Sequence, residues 1–314
     1  IGAIAGLPVM EGKALLMKQF GGIDAFPIVI DTHDASGIIN FVKNVSPTFA
    51  GINLEDIAAP ICFEVEEALQ EIGIPVFHDD QHGTAIVVRA ALMNAAKVVG
   101  KPYESLRVVI VGAGAAGLAI AKMLLGATCM ADECSLVKNA NHVGDVIVVD
   151  TKGALVIGRS GQNIYKQAIA GLSNVGRLEG DLATVICGAD AVIGVSGPGS
   201  ITGDMVKSMA KNAIVFAMAN PTPEIMPDIA RAAGAMVVAT GRSDFPNQIN
   251  NVLAFPGIFR AVVSGRLEKI TPEMKLAASD AISSLITDPN PEKIIPSVFY
   301  PGLADIVANA VLSV

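Results

Sequence analysis

Tryptophan is absent from the 314 residues, tyrosine occurs three times, and aromatic side chains make up 4% of the chain. The four cysteines, Cys62, Cys129, Cys134 and Cys187, form no CxxC pair and match no zinc spacing. They read as reduced thiols of a cytosolic protein. The four histidines, His33, His78, His82 and His142, show no HExxH or other zinc pattern. No basic cluster is present and the formal net charge is −8, which argues against a nucleic-acid partner. No apolar run reaches the roughly eighteen residues of a membrane span. Internal repeats and low-complexity tracts are also missing. The chain opens on IGAIAGLPVMEGK with neither signal peptide nor initiator methionine, so a leading segment is expected to precede Ile1.

What is present is apolar and small. Hydrophobic residues make up 52%, rich in Ala, Gly, Val and Ile, which suits an α/β protein with buried parallel strands. The length allows two domains with real cores. Residues 51–84 carry two acidic pairs, Glu55-Asp56 and Asp79-Asp80. Each follows a short apolar run, FAGINL or IPVF, that reads as a buried strand. Both pairs therefore belong at the carboxyl ends of parallel strands, where open α/β sheets hold ligands. Converging carboxylates repel one another unless a cation joins them, and oxygen-only ligands suit Mg²⁺ or Mn²⁺. Acidic residues after a strand also serve as helix N-caps, and each pair alone fits that simpler role. His78 and His82 flank the second pair and are expected to support it rather than bind the metal.

The order of elements points the same way. A helix at 8–20 holds Lys13 near its start, and PIVI at 27–30 reads as a strand ending at Asp31. Helices at 35–44 and 60–72 alternate with the strands FAGINL and PVFHD. This β-α-β-α-β run implies a parallel sheet with right-handed crossovers. Residues 84–99 are apolar around most of the helix surface, which suits burial between domains. A strand at 108–111 then runs into Gly112-Ala113-Gly114-Ala115-Ala116-Gly117, a GxGxxG that opens a helix. In that setting the first glycine permits the tight turn, the second admits a pyrophosphate, and the third lets helix and strand pack closely. Amides at the helix start hold the phosphates.

The ribose carboxylate is expected at the end of the next strand, 146–149, which places it at Asp150. Its distance from the glycines exceeds the usual ~20 residues. The excess lies in CMADECSLVKNANHVG, read as a surface loop or small extra turn without function. Strands at 190–196, 213–219 and 235–241, with helices around 201–210 and 224–233, complete a doubly wound domain. Ser196 and Asn220 lie at strand ends facing its crevice. Asn247, Asn250 and Asn251 fall in a loop, and residues 257–314 are helical and expected to fold back onto the first domain. The fold class is α/β: a doubly wound parallel sheet of Rossmann type plus a smaller α/β substrate and metal domain. The divisions fall at 1–83, 84–252 and 253–314.

LPVMEGKALL, GINLEDI, PVFHDDQHGTA, VGAGAAG, ANPTPEI and ATGRSDFPNQINNVLAFPGIFR, in this order, resemble the short prokaryote-type malic enzymes over nearly the whole chain. The resemblance implies oxidative decarboxylation of L-malate to pyruvate and CO₂ with NAD(P)⁺ and Mg²⁺ or Mn²⁺. It implies a catalytic role for Lys13 and Asp79, and metal ligation by Glu55, Asp56 and Asp80. Asn220 and Asn251 match asparagines that contact nicotinamide and substrate, with Asn250 beside them. Gly112, Gly114, Ala115, Ala116, Gly117 and Asp150 match the dinucleotide site. Asp150 favours NAD through the ribose hydroxyl, while Lys152 and Arg159 leave NADP open. A nearby cation is expected to lower the pKa of Lys13 and free it to act as a base.

Two departures stand out. The family's catalytic tyrosine and a substrate-binding arginine lie upstream of the position of Ile1, and the insertion precedes Asp150. The resemblance also implies a cytoplasmic homodimer or larger assembly. Alternatives are an oxaloacetate decarboxylase, a dehydrogenase for another 2-hydroxy acid, or a non-catalytic sensor of malate and nucleotide.

Overall fold

In a computed structural model, which describes residues 2–131 and 133–314, the chain starts with α1 (Ala3–Leu16) and a π-helical turn, Met17–Gly21. An extended stretch leads to α2 (Ala35–Val45), capped by Asp34, whose carboxylate accepts from Gly37 N at 2.7 Å. Then come β1 (Ile52–Leu54), α3 (Ile61–Leu69) and β2 (Val76–His78). β1 and β2 form a two-stranded parallel sheet, with Leu54 opposite His78. PIVI at 27–30 was expected to add a strand. No strand forms there, for no neighbouring strand offers those residues a ladder, and Phe26 and Ile28 stay exposed.

A second π-helical turn, Asp79–Gly83, leads into α4 (Thr84–Val99). As its all-round apolar sequence required, α4 is enclosed: Ile86, Val87, Val88 and Leu92 have no exposed surface. Each such side chain contributes roughly 2 kcal/mol of burial. The largest hydrophobic cluster runs unbroken from Met17, Phe63 and Phe77 through α4 to the main sheet and the last helices.

The main sheet contains β3 (Arg107–Val111), β6 (Asp145–Asp150), β7 (Gly153–Ala154), β8 (Ala191–Gly194), β9 (Ala213–Ala217) and β10 (Ala235–Thr240). Between β3 and β6 lie α5 (Ala115–Leu124), β4 (Ala127–Met130) and β5 (Glu133–Leu136); α6 (Ile164–Leu172), α7 (Leu182–Val185), α8 (Gly203–Ser208) and α9 (Pro227–Ala232) complete the crossovers. The order is β10-β9-β8-β3-β6-β7, parallel except for β7. The chain passes from β3 to one side at β6 and later to the other side at β8. That reversal opens a crevice at the carboxyl ends of β3 and β8.

The segment read as a surface loop or small extra turn before Asp150 forms an antiparallel hairpin, β4 with β5. Cys129 faces Cys134 across it and the two form a disulfide, which corrects the expectation of four reduced thiols. Residues directly opposite on paired strands come close enough to bridge, a pairing that spacing alone did not reveal. Cys62 is buried and Cys187 exposed, both as free thiols.

α10 (Phe255–Gly265), α11 (Pro272–Ser284) and α12 (Leu303–Leu312) close the chain. α10 packs on the Met17–Gly21 turn and on α12, while α11 packs on α4. Phe259 of α10 meets Phe77 edge-on at 5.9 Å between centroids. Residues 285–302 are irregular because Pro289, Pro291, Pro296 and Pro301 interrupt any helix. Among the described residues no helix is long and apolar enough to cross a membrane.

Candidate active site

The small sheet ends in acid. β1 delivers Glu55 and Asp56, and β2 delivers Asp79 and Asp80 at the start of the π-helical turn before α4. Lys13, from the last turn of α1, places its ammonium 2.5 Å from both Glu55 Oε1 and Asp79 Oδ2. It also lies 4.8 Å from the centre of the Phe255 ring. Asn251 donates from Nδ2 to the same Asp79 oxygen. Lys13 and Asn251, far apart in sequence, thus meet on one buried carboxylate. Asp79 Oδ1 is buried without a protein partner.

The charges explain the pairing. Burial raises Asp79 and Glu55, Asp79 raises Glu55 further, and Asp80 raises both, against the pull of Lys13. Burial alone would lower Lys13, but Asp79 and Glu55 outweigh it and raise it. The expected depression of Lys13 is therefore not what these ion pairs favour. Asp80 accepts from Asp56 N at 2.8 Å, and Asp56 adopts a left-handed backbone with φ 55°. Asn53 Nδ2 donates to Glu55 Oε2 at 2.9 Å. Gly83 has no room for a side chain, since a Cβ would lie 1.8 Å from Asp79 Oδ1. Among the described residues, no three His, Cys, Asp or Glu side chains are gathered at metal-holding geometry. The oxygen-only donor set of Glu55, Asp56 and Asp80 nonetheless has the chemistry a hard divalent cation requires. The raised carboxyl of Glu55, with Asp79 and Asp80 both pushing it up, marks a surplus of negative charge there.

A support network lies behind this cluster that the sequence reading saw only in part. Glu66 of α3 accepts from Gln81 Nε2 at 2.9 Å and lies 2.5 Å from His82 Nε2. Burial opposes ionisation of Glu66, yet His82 holds its carboxyl down at about 2. Burial likewise drives His82 to about 4, against the pull of Glu66. The His82–Glu66–Gln81 contacts anchor the turn carrying Asp79 and Asp80 from behind. His78 is wholly buried, with both ring nitrogens lacking a protein partner and Nδ1 3.9 Å from Asp80 Oδ2. Burial lowers its pKa.

The glycine turn lies next door, as α5 packs against the Asp79–Gly83 turn. Gly112 has φ 118°, and a Cβ there would meet Val195 O at 2.6 Å. Gly117 is tighter still, with a Cβ 1.8 Å from Gly112 O. Gly114 faces open space, with nothing within 4 Å of a Cβ, and caps α5. Its missing side chain leaves room for a ligand where α5 begins. Ala115 and Ala116 form the first turn of α5 and pack against the core.

Asp150 ends β6 as expected, but its oxygens are occupied. Lys152 N donates to Oδ1 at 2.9 Å, while Arg159 and Lys166 approach Oδ2 at 2.6 and 2.8 Å. Burial opposes ionisation, but Arg159 and Lys166 hold the carboxyl down at about 2. Lys166, on α6, gave no signal in the sequence.

Ser196 and Asn220 are exposed at the ends of β8 and β9, in the crevice rim. Both strand ends are tied by Glu224, whose carboxylate accepts from Ser196 N at 2.9 Å and Ala219 N at 3.0 Å. Glu224 is fully buried and was visible in ANPTPEI, though nothing in that string marked its partners. Asn250 Oδ1 caps the turn at Asn251–Leu253 by accepting from Val252 N at 3.0 Å. Asn247 donates to Val238 O and Pro291 O, a structural pin away from the acidic cluster.

Residues 1–70 match the family profile for malic enzyme, N-terminal domain, and residues 81–312 that for malic enzyme, NAD binding domain. The bifunctional malic/malolactic enzyme of Bacillus subtilis is 53% identical, over 99% of this chain and 73% of its own length. The NAD-dependent malic enzyme of Geobacillus stearothermophilus is 51% identical, over 99% of this chain and 63% of its own length. The NADP-dependent malic enzyme of Escherichia coli is 43% identical, and this chain spans 42% of its length. The crystal structure of the NAD-dependent malic enzyme from Thermotoga maritima superposes with a TM-score of 0.91 at 47% identity, covering 99% of this chain and 79% of that one.

Proposed function

The chain belongs to the malic enzyme family, and from that premise we propose that it converts L-malate to pyruvate and CO₂ with NAD(P)⁺ and Mg²⁺ or Mn²⁺. The observation that carries this reading is Lys13 held between Glu55 and Asp79 beside the glycine turn. Oxidation of a 2-hydroxy acid needs a group to take the hydroxyl proton as hydride leaves, within reach of a bound dinucleotide. Lys13 is that group, and Asp79, in hydrogen-bond contact at 2.5 Å, receives or returns the proton. Asn251 fixes the Asp79 carboxylate and, with Asn220 and Asn250, lines the substrate side. Were Glu55 to hold a cation instead, one of the two carboxylates that raise Lys13 would be withdrawn from it, leaving Asp79 alone against burial. Glu55, Asp56 and Asp80 would hold the divalent ion. When bound it supplies a Lewis acid for the 2-oxygen and for the enolate left by decarboxylation.

Gly112, Gly114, Ala115, Ala116 and Gly117 hold the pyrophosphate in this reading, with Asp150 and Lys152 at the adenosine ribose and Ser196 along the crevice. Arg159 and Lys166 neutralise Asp150, so its repulsion of a 2′-phosphate is weakened and NADP is admitted beside NAD. The division at 83 and 252 separates the acidic cluster from the dinucleotide crevice. L-malate is the partner, the cytoplasm the compartment, and a homodimer or larger the assembly. Exposed Ile4, Val9 and Leu15 on α1 support that last point.

The test is the absorbance of reduced nicotinamide with L-malate and Mn²⁺, comparing NAD⁺ with NADP⁺. Lys13→Met is expected to lower turnover by about 10²-fold or more while dinucleotide binding persists. Asp80→Asn is expected to lose Mn²⁺ dependence with the same binding retained. Turnover of oxaloacetate, or of a 2-hydroxy acid other than malate, without turnover of malate would replace this reading with a related enzyme. Dinucleotide binding without any turnover, in a protein carrying the upstream tyrosine, would make it a sensor.

A further inference from the structure

A cavity of about 60 Å³ lies between α5, the β4–β5 hairpin and the first turns of α11. Its wall carries Lys122, Lys275, His82 and Thr128 among small and apolar groups. Lys122 comes from α5 and Lys275 from α11, so distant segments bring two ammonium groups to one space. Among the described residues neither lysine has a hydrogen-bond or ion-pair partner; Lys122 lies 5.8 Å over the Phe63 ring. The nearest carboxylates are engaged elsewhere. Glu66 is taken by His82 and Gln81, and Glu67 accepts from Ala131 N at 2.8 Å and Tyr165 Oη at 3.4 Å.

Two like charges facing one cavity repel, and the effect is visible in the acidity of Lys275. Burial lowers both lysines, Lys275 to about 8, with Lys122 adding to the fall and Glu66 opposing it. A bound anion would relieve both the repulsion and the missing acceptors. The cavity has the size of a few water molecules, which suits a phosphate or a short carboxylate.

We propose that this cavity binds a small oxyanion, phosphate or carboxylate, between Lys122 and Lys275. The site is separate from the acidic cluster and from the glycine turn, yet one wall residue connects it to the former. His82 lines the cavity and holds Glu66, which in turn holds Gln81 beside Asp80. An anion that draws the lysines from Glu66 acts on the support of the catalytic turn, so the site is placed to modulate it.

Calorimetric titration of inorganic phosphate, and separately of acetate, tests this. The protein is metal-free and saturated with NAD⁺, so that phosphate cannot enter the glycine turn, and ionic strength is held constant. One saturable site for either anion is expected, weakened about tenfold or more by Lys275→Met or Lys122→Met. Which anion binds identifies the source. A measurement on the unaltered chain guards against variants that fail to fold. Lys275 should be acetylated readily near pH 8 and protected by the saturating anion, as read by mass spectrometry. No saturable binding of either anion, unchanged affinity in both folded variants, or no protection of Lys275 would each overturn the proposal.

Discussion

Asp150 is the position where one side chain's neighbours change its meaning. A lone carboxylate after β6 reads as a ribose acceptor, but Arg159 and Lys166 turn it into the centre of a cationic clasp. Its folded pKa is about 2 against an ordinary 3.8. A depressed acid contributes stability that is fully present above the unfolded value and lost as pH falls through the folded one. The window is therefore about pH 4 down to about pH 2. Asp150→Asn should cost about 1–2 kcal/mol near neutrality, allowing for solvent screening. The gap to the unaltered protein in urea midpoints should close as pH falls to about 2. A gap that stays constant across that window would mean the clasp does not hold Asp150 ionised. Asp150 itself was legible from its place at a strand end. The clasp was not, because Lys166 lies a helix away and carries no motif.

At the scale of an element, the turn from β3 into α5 separates two uses of glycine. Gly117 is required by packing, since its Cβ would strike the backbone oxygen of Gly112. Gly114 is required by nothing in the protein, because its Cβ would meet open space. Gly117→Val is thus expected to destabilise by about 2–3 kcal/mol and to lose dinucleotide binding with it. Gly114→Val should cost under about 1 kcal/mol and still weaken dinucleotide binding tenfold or more. Thermal unfolding and a dinucleotide titration on both variants check this. Equal loss of stability in both would remove the ligand role of Gly114. The strand-turn-helix order here was fully readable, for hydrophobic runs and glycine spacing are local. The hairpin before Asp150 was not readable, since the facing of Cys129 and Cys134 depends on strand register.

Across the whole molecule, α4 is the shared wall. Arg89 is 2% exposed and pairs with Asp280 of α11 at 2.6 Å. Asn94 Nδ2 donates to Ser283 O at 2.9 Å and Ile294 O at 3.0 Å. These polar contacts fasten the last segment of the chain to a helix nearly two hundred residues earlier. Asn94→Ala should leave the Ile294 carbonyl without a donor, while Ser283 O keeps Ile286 N at 3.2 Å, and cost about 1–3 kcal/mol. Urea unfolding measures the loss, and hydrogen exchange should quicken first around 283–294. Exchange that quickens instead in the glycine turn would place the pin's effect elsewhere. The sequence marked α4 as apolar around most of its surface and buried between domains. It did not show that the polar residues within it are the fasteners.

The amino-acid sequence by itself determined the alternating order of strands and helices, the doubly wound sheet, the glycine turn and the placing of Glu55, Asp56, Asp79, Asp80 and Asp150 at or just past strand ends. Each follows from periodicity or from stereochemistry within a few neighbouring residues. Tertiary structure alone decided what those side chains meet. Lys13 reaches Asp79 across 66 positions and Asn251 reaches it across 172. It also withheld a strand from residues 27–30, closed the Cys129–Cys134 bridge, and set Lys122 opposite Lys275 around one cavity. A ladder partner, a facing thiol and a neighbouring charge are long-range contacts. They leave no period in the chain, and the energy that selects them exists only once the core has packed.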